Sequence, residues 1–187
     1  MRIISGIFKG KTISYLKSSI TRPLKDSVKE NIFNIIAHSN ILDIDLYNSN
    51  ILDLYSGVGS FGLECISRGA KKITFVEKDN KAFEILKDNL INLGIVEKST
   101  SINNDVKKFL NEDQSNSFDI IFFDPPFAED TYLQELKIMK KKKIFKKKHI
   151  IIIHREKKSS DDFLETIKPL IIKHYGRSKI IFGRFLN

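Results

Sequence analysis

ILDLYSGVGSFG, residues 51–62, decides the fold of this chain. An apolar run carries Asp53 and then turns through Gly57, Gly59 and Gly62. A strand that enters a glycine turn and opens a helix is the nucleotide-cradling device of open α/β sheets. Glycine suits a turn that needs positive φ and a backbone a ligand approaches closely. The spacing G-x-G-x-x-G fits a dinucleotide fold equally well, so charge has to discriminate. Asp53 stands four residues before the first glycine, where a pyrophosphate would lie. A carboxylate there repels an anion but suits the ammonium and sulfonium of S-adenosylmethionine. Glu77 ends the next apolar run, KITFVE, where a ribose diol needs a two-oxygen acceptor. The two acids favour a methyl donor over NAD.

A second signal, Asp124-Pro125-Pro126-Phe127, directly follows the continuously apolar Phe118–Phe123. In a sheet whose order reverses between these two strands, both strand ends open into one crevice. The residue types suit activation of an exocyclic amine, whose lone pair is delocalised into its base. Asp124 and the carbonyl of Pro125 can accept its two N–H bonds. The prolines stiffen that geometry, and Phe127 offers a face on which an extruded base stacks. Asp-Pro-Pro also terminates strands, but its place downstream of Asp53, Gly57 and Glu77 favours catalysis.

At 187 residues, 41% hydrophobic and 29% charged, the chain is expected to be one globular domain with at most a small appendage. Its single Cys65 excludes an internal disulfide or a cysteine zinc site, and its four histidines show no metal-ligand spacing. No apolar run reaches the ~20 residues of a membrane span, and Met1-Arg2-Ile3-Ile4 does not read as a signal peptide. A cytoplasmic, monomeric protein with no metal is expected.

The net charge of +9 is unevenly placed. Residues 1–40 carry seven Lys/Arg against two acids, residues 41–136 nine against seventeen, and residues 137–187 sixteen against four. An acidic middle that holds the glycine turn is flanked by two basic ends, the pattern of a cofactor domain with a polyanion-facing surface. Lysine-rich composition alone would not require that asymmetry.

In chain order, Arg2 to Leu16 reads as a hairpin around Lys9-Gly10, and Thr21-Arg22-Pro23 as an extended tripeptide before a helix to about His38 capped by Asp26. Strands are expected at Asn50–Leu54, Lys72–Glu77, Ser99–Asn103, Phe118–Phe123 and His149–Ile153. Helices are expected after the glycine turn as far as Gly69, at Asn80–Leu93, at Tyr132–Lys143 and near Asp161–Ile167. A terminal hairpin, Leu170–Tyr175 with Ser178–Phe185, completes an α/β, doubly wound, mainly parallel seven-stranded sheet with one antiparallel strand. Residues 1–40 form an N-terminal hairpin-and-helix extension, and residues 41–187 the cofactor domain.

ILDLYSGVGSFG followed by FDIIFFDPPF resembles the class I methyltransferases that modify amino groups of bases. Arg2-Ile3-Ile4-Ser5-Gly6, Lys9-Gly10, Thr21-Arg22-Pro23, Val28-Lys29-Glu30, Phe33-Asn34 and the terminal YGRSKIIFGRF are similar to the RsmD-type family. That family methylates the guanine N2 at position 966 of 16S ribosomal RNA. The resemblance implies S-adenosylmethionine as donor and a small-subunit particle, or its assembly intermediate, as substrate. It implies cofactor contacts at Asp53, Tyr55, Gly57, Gly59, Glu77 and Asp105, catalysis by Asp124, Pro125, Pro126 and Phe127, and RNA contacts at Arg2, Lys9, Lys11, Arg22 and Lys29. Two departures stand out. An acid is expected after the fifth strand, yet the chain reads Ile153-His154-Arg155, and that edge is assigned no role. The lysines from Lys140 to Lys148 are denser than the family pattern, so an RNA contact by Lys140, Lys141, Lys142 and Lys143 is an expectation about this chain. Asp105 reads almost equally as a helix cap. An adenine-N6 methyltransferase and a non-catalytic RNA-binding assembly factor remain alternatives. Intact Asp53, Glu77 and Asp124 count against the latter.

Overall fold

The computed structural model describes residues 1–16, 24–112, 117–127, 131–159, 163 and 165–186. Four strands lie at the bounds expected from their apolar runs: β1 (Asn50–Leu54), β2 (Lys72–Glu77), β3 (Ser99–Asn103) and β4 (Phe118–Phe123). With β5 (Phe145–Glu156), β6 (Ile167–Tyr175) and β7 (Ser178–Phe185) they form a seven-stranded sheet of order β3-β2-β1-β4-β5-β7-β6. Neighbours from β3 to β5 are parallel, and β7 runs antiparallel to both β5 and β6. The order reverses at β1 and β4, which places the crevice beyond their C-terminal ends.

Alternation along each strand explains why the central runs are apolar throughout. Ile51, Ile120, Phe122, Ile150 and Ile152 face one core, closed by α1 (Asp26–His38), α2 (Ser60–Ser67) and α3 (Asn80–Leu93). Leu52, Leu54, Ile121, Phe123, Ile151 and Ile153 face the other, closed by α4 (Val106–Asn111) and α5 (Tyr132–Lys142). Ile3 and Ile13, each 1% exposed, share the first core with α1 and α2, so the N-terminal residues pack directly on the helices of that face.

Several expectations are corrected. The N-terminal hairpin is shorter than expected: around the antiparallel bridge of Arg2 with Thr12, Ile3 N–H donates to Lys11 O at 3.0 Å and Ile13 N–H to Met1 O at 2.9 Å. Gly6 and Gly10, both at positive φ, turn the chain, and Ile4 N–H and Ser5 N–H donate to Glu64 of α2 instead of a facing strand. Asp26 is the first residue of α1 rather than its cap, and its carboxylate lies 3.5 Å from Arg2 Nε. β5 begins at Phe145, because Lys146 and Lys148 sit in the strand and pair with Asp119 at 2.7 Å and Asp43 at 2.9 Å. The helix expected near residues 161–167 falls partly outside the described residues, and Ile167 already belongs to β6. The short α4 is the helix that the reading of Asp105 as a cap implies.

Candidate active site

The glycine turn is built from both strand ends beneath it. Ser56 N–H donates to Val76 O at 3.1 Å, and Gly57 N–H donates to Glu77 Oε2 at 2.7 Å. The other Glu77 oxygen accepts from Asp79 N–H at 2.7 Å, so this carboxylate fixes the turn against the end of β2. Gly59, at φ 87°, caps α2, and a Cβ there would lie 2.5 Å from Leu86 Cδ1. Gly57 is different: its φ is 55°, and a Cβ would meet nothing within 4 Å. The turn therefore opens on free space beside a two-oxygen acceptor, which fits the ribose end of S-adenosylmethionine. Tyr55, a non-glycine at φ 59°, donates its hydroxyl to Glu135 of α5 at 2.8 Å, tying the turn to the opposite layer.

Asp53 departs from its expected role. It is 1% exposed and accepts from Gly62 N–H at 3.0 Å, under the turn rather than open to the crevice. Burial pushes its carboxyl well above the ordinary range; the Gly62 bond opposes this, and the nearby Asp124 and Glu77 charges reinforce it. Asp53 thus anchors the first turn of α2 to the sheet. Asp105 caps α4, its Oδ1 accepting from Lys107 N–H at 3.0 Å and Lys108 N–H at 3.3 Å. Asn103, which no motif marks, donates from its side-chain amide to Glu77 O at 2.9 Å.

Asp124 leaves the end of β4 beside that of β1, its N–H 3.5 Å from Leu54 O. Pro125 is buried, and Phe127 is 39% exposed. Two residues to which the sequence assigns no role brace this tetrapeptide. His154 Nδ1 lies 2.8 Å from Asp124 Oδ1, and its ring meets Phe127 edge-on at 5.3 Å between centroids. Arg155 donates to Pro126 O at 3.3 Å and Phe127 O at 3.5 Å, with its guanidinium 3.9 Å above the Tyr132 ring. The signal that locates them is position, since they end the strand next to β4.

The expected RNA contacts scatter. Lys9 and Lys11 are exposed, Lys11 lying 5.2 Å over Phe8. Arg2 is exposed and pairs with Asp26. Arg22 lies outside the described residues. Lys29 is corrected: fully buried, it donates to Arg2 O at 3.0 Å and Ser60 Oγ at 3.3 Å, and lies 3.6 Å from Glu64. Burial pushes its ammonium below the ordinary value, against the pull of Glu64. Lys140, Lys141 and Lys142 end α5, and Lys143 follows, at the N-terminal end of β5. That places them at the end of the sheet opposite the crevice. Lys140 donates to Glu165 O at 2.8 Å, and Lys142 to Asn111 O at 2.6 Å and Glu112 O at 2.7 Å.

Among the described residues no group of three His, Cys, Asp or Glu is placed to hold a metal ion, and no helix is long and apolar enough to cross a membrane. A family model described as "Conserved hypothetical protein 95" matches residues 1–184. The chain belongs to that family, the RsmD-type methyltransferases. A ribosomal RNA small subunit methyltransferase D of Haemophilus influenzae is 39% identical over 129 residues, covering 68% of this chain and 64% of that protein, just under two thirds of its length. The protein of the same name from Buchnera aphidicola of Acyrthosiphon pisum is 33% identical over 158 residues, covering 84% of this chain and 79% of that one. A solved Haemophilus influenzae methylase structure, 29% identical, superposes with a TM-score of 0.80 over all of this chain and 98% of its own. An Escherichia coli structure at 23% identity and TM-score 0.84, covering 98% and 96%, shows the same fold.

Proposed function

We propose that this RsmD-type chain transfers a methyl group from S-adenosylmethionine to the exocyclic N2 of a guanine in 16S ribosomal RNA, on the small subunit or its assembly intermediate. The observation that carries the reading is Asp124 just past the end of β4, its backbone N–H tied to the end of β1, followed by a buried proline and a half-exposed aromatic ring. The names of the relatives supply the substrate class, small-subunit ribosomal RNA.

The residues divide the work. Gly57 and Glu77 offer the backbone approach and the acceptor that a ribose diol needs. When bound, S-adenosylmethionine supplies a methyl group made electrophilic by its sulfonium. Asp124 and the Pro125 carbonyl accept the two N–H bonds of the amine, turning its lone pair toward that methyl group. As the N–C bond forms, the methyl group's bond to sulfur breaks and a neutral thioether, S-adenosylhomocysteine, leaves; the nitrogen becomes positive, and Asp124 offsets that charge and takes up the proton the nitrogen releases. Phe127 stacks the extruded base. Residues 1–40, with exposed Arg2, Lys9 and Lys11, form the RNA-facing extension of the 41–187 catalytic unit.

The test incubates unmodified small subunits with labelled donor and identifies the modified nucleoside after digestion. N2-methylguanosine is the expected product. N6-methyladenosine would reassign the base, and RNA binding without transfer would make the chain an assembly factor.

A further inference from the structure

The end of β5 grips the proposed catalytic loop from both sides. His154 continues the row of Ile150 and Ile152 on one face of the sheet, and Arg155 that of Ile151 and Ile153 on the other. His154 is 8% exposed and Arg155 2%. Arg155 holds the loop by its carbonyls, whereas His154 contacts the reacting carboxylate itself and also sets the edge of Phe127.

Building on the methyl-transfer reading, we propose that His154 is a positioning residue for the chemical step, donating Nδ1–H to Asp124 Oδ1 so that Oδ2 is presented to the amine. A carboxylate that turns about its Cα–Cβ and Cβ–Cγ bonds swings freely just past β4, and each misaligned rotamer loses the linear N–H···O geometry that orients a nucleophile. A single charge-assisted bond from a buried ring removes that freedom. The bond also selects the tautomer, since an ionised Asp124 requires the hydrogen on Nδ1. An acid at this position, which the family pattern leads one to expect, could not donate while ionised and would repel Asp124. The chain therefore reaches a fixed carboxylate by its own means.

Three variants separate this role from simple packing. His154→Phe keeps the ring against Phe127 and removes the donor, His154→Asn keeps a donor near the Nδ1 position, and Asp124→Ala removes the acceptor. Single-turnover rates on small subunits should fall roughly 10- to 100-fold in the Phe variant. Its affinity for S-adenosylhomocysteine and its melting temperature should stay close to wild type, and the Asn variant should recover most of the rate. In the Asp124→Ala background the Phe substitution should cost nothing further, because the two residues act as one unit. Nitrogen NMR of the imidazole gives a readout independent of turnover: Nδ1 should carry the hydrogen in wild type and lose that preference in Asp124→Ala. A Phe variant as fast as wild type, losses that multiply across the double variant, or an Nε2–H tautomer would each overturn the role while leaving the methyl-transfer reading intact. Wild-type protein that transfers no methyl group to any base overturns that reading, and this role with it.

Discussion

A carboxyl sealed beneath a glycine turn behaves unlike one that faces it. Asp53 keeps its proton more firmly in the folded chain than in the unfolded one, because burial penalises the charged form. The folded state therefore binds more protons above the unfolded value of ~3.9, and stability falls as pH rises from there through the raised folded value. Asp53→Asn retains an acceptor for Gly62 N–H and never ionises. Urea midpoints should show it close to wild type near pH 4 and increasingly more stable than wild type toward pH 8. In the crevice itself, Asp124→Ala should lower single-turnover methylation by ~2.7–4 kcal/mol, about two to three decades, with S-adenosylhomocysteine binding by calorimetry unchanged. Both acids are marked by their motifs in the sequence. Their environments are not: burial of Asp53 depends on Gly62 packing against Phe75, where a Cβ would lie 2.2 Å from the ring. His154 and Arg155 belong to no motif, and only their place on the strand beside β4 marks them.

At the scale of elements, the central strands β1, β2 and β4 are legible to the residue, since their runs are nearly all apolar. The start of β5 is hidden because lysines look like loop or helix surface, and only the partners Asp119 and Asp43, distant in sequence, make Lys146 and Lys148 strand residues. The N-terminal hairpin is cut short for a related reason, since the N–H groups of Ile4 and Ser5 donate to a side chain of α2. Glu64, fully buried, accepts from Ile4 N–H at 2.8 Å, Ser5 N–H at 2.9 Å and Arg68 Nε at 2.8 Å, and lies 3.6 Å from Lys29. Removing it leaves Lys29 buried without its counter-charge. Glu64→Ala should therefore cost about 3–5 kcal/mol in denaturant unfolding, well beyond a typical surface substitution. Limited proteolysis should then cut within residues 1–16 before any other described part of the chain. Glu64→Gln, which retains acceptance from the two N–H groups, should lose less.

Across the whole molecule, the charge asymmetry resolves into surfaces with different prospects for RNA. The β4 strand of six residues spans ~20 Å at about 3.3 Å per residue, and α5 returns the chain over that height. Lys140 to Lys143 thus sit roughly a sheet's depth from Asp124, and two of the four already donate to backbone carbonyls. Lys9 and Lys11 are exposed on the N-terminal segment, and among the described residues neither donates to a backbone carbonyl in this way. Every phosphate deprived of its lysine should lower the slope of log affinity against log salt by ~0.7–0.9. Replacing Lys9 and Lys11 together with Gln should flatten that slope by about 1.4 to 1.8 for small-subunit RNA. Replacing Lys140 through Lys143 with Gln should leave the slope and the cofactor affinity near wild type. Filter binding across a salt series checks both. A slope that instead drops with the Lys140–Lys143 set would show that the particle wraps to the far end of the sheet, and would move the RNA-facing surface from the first forty residues to the end of α5.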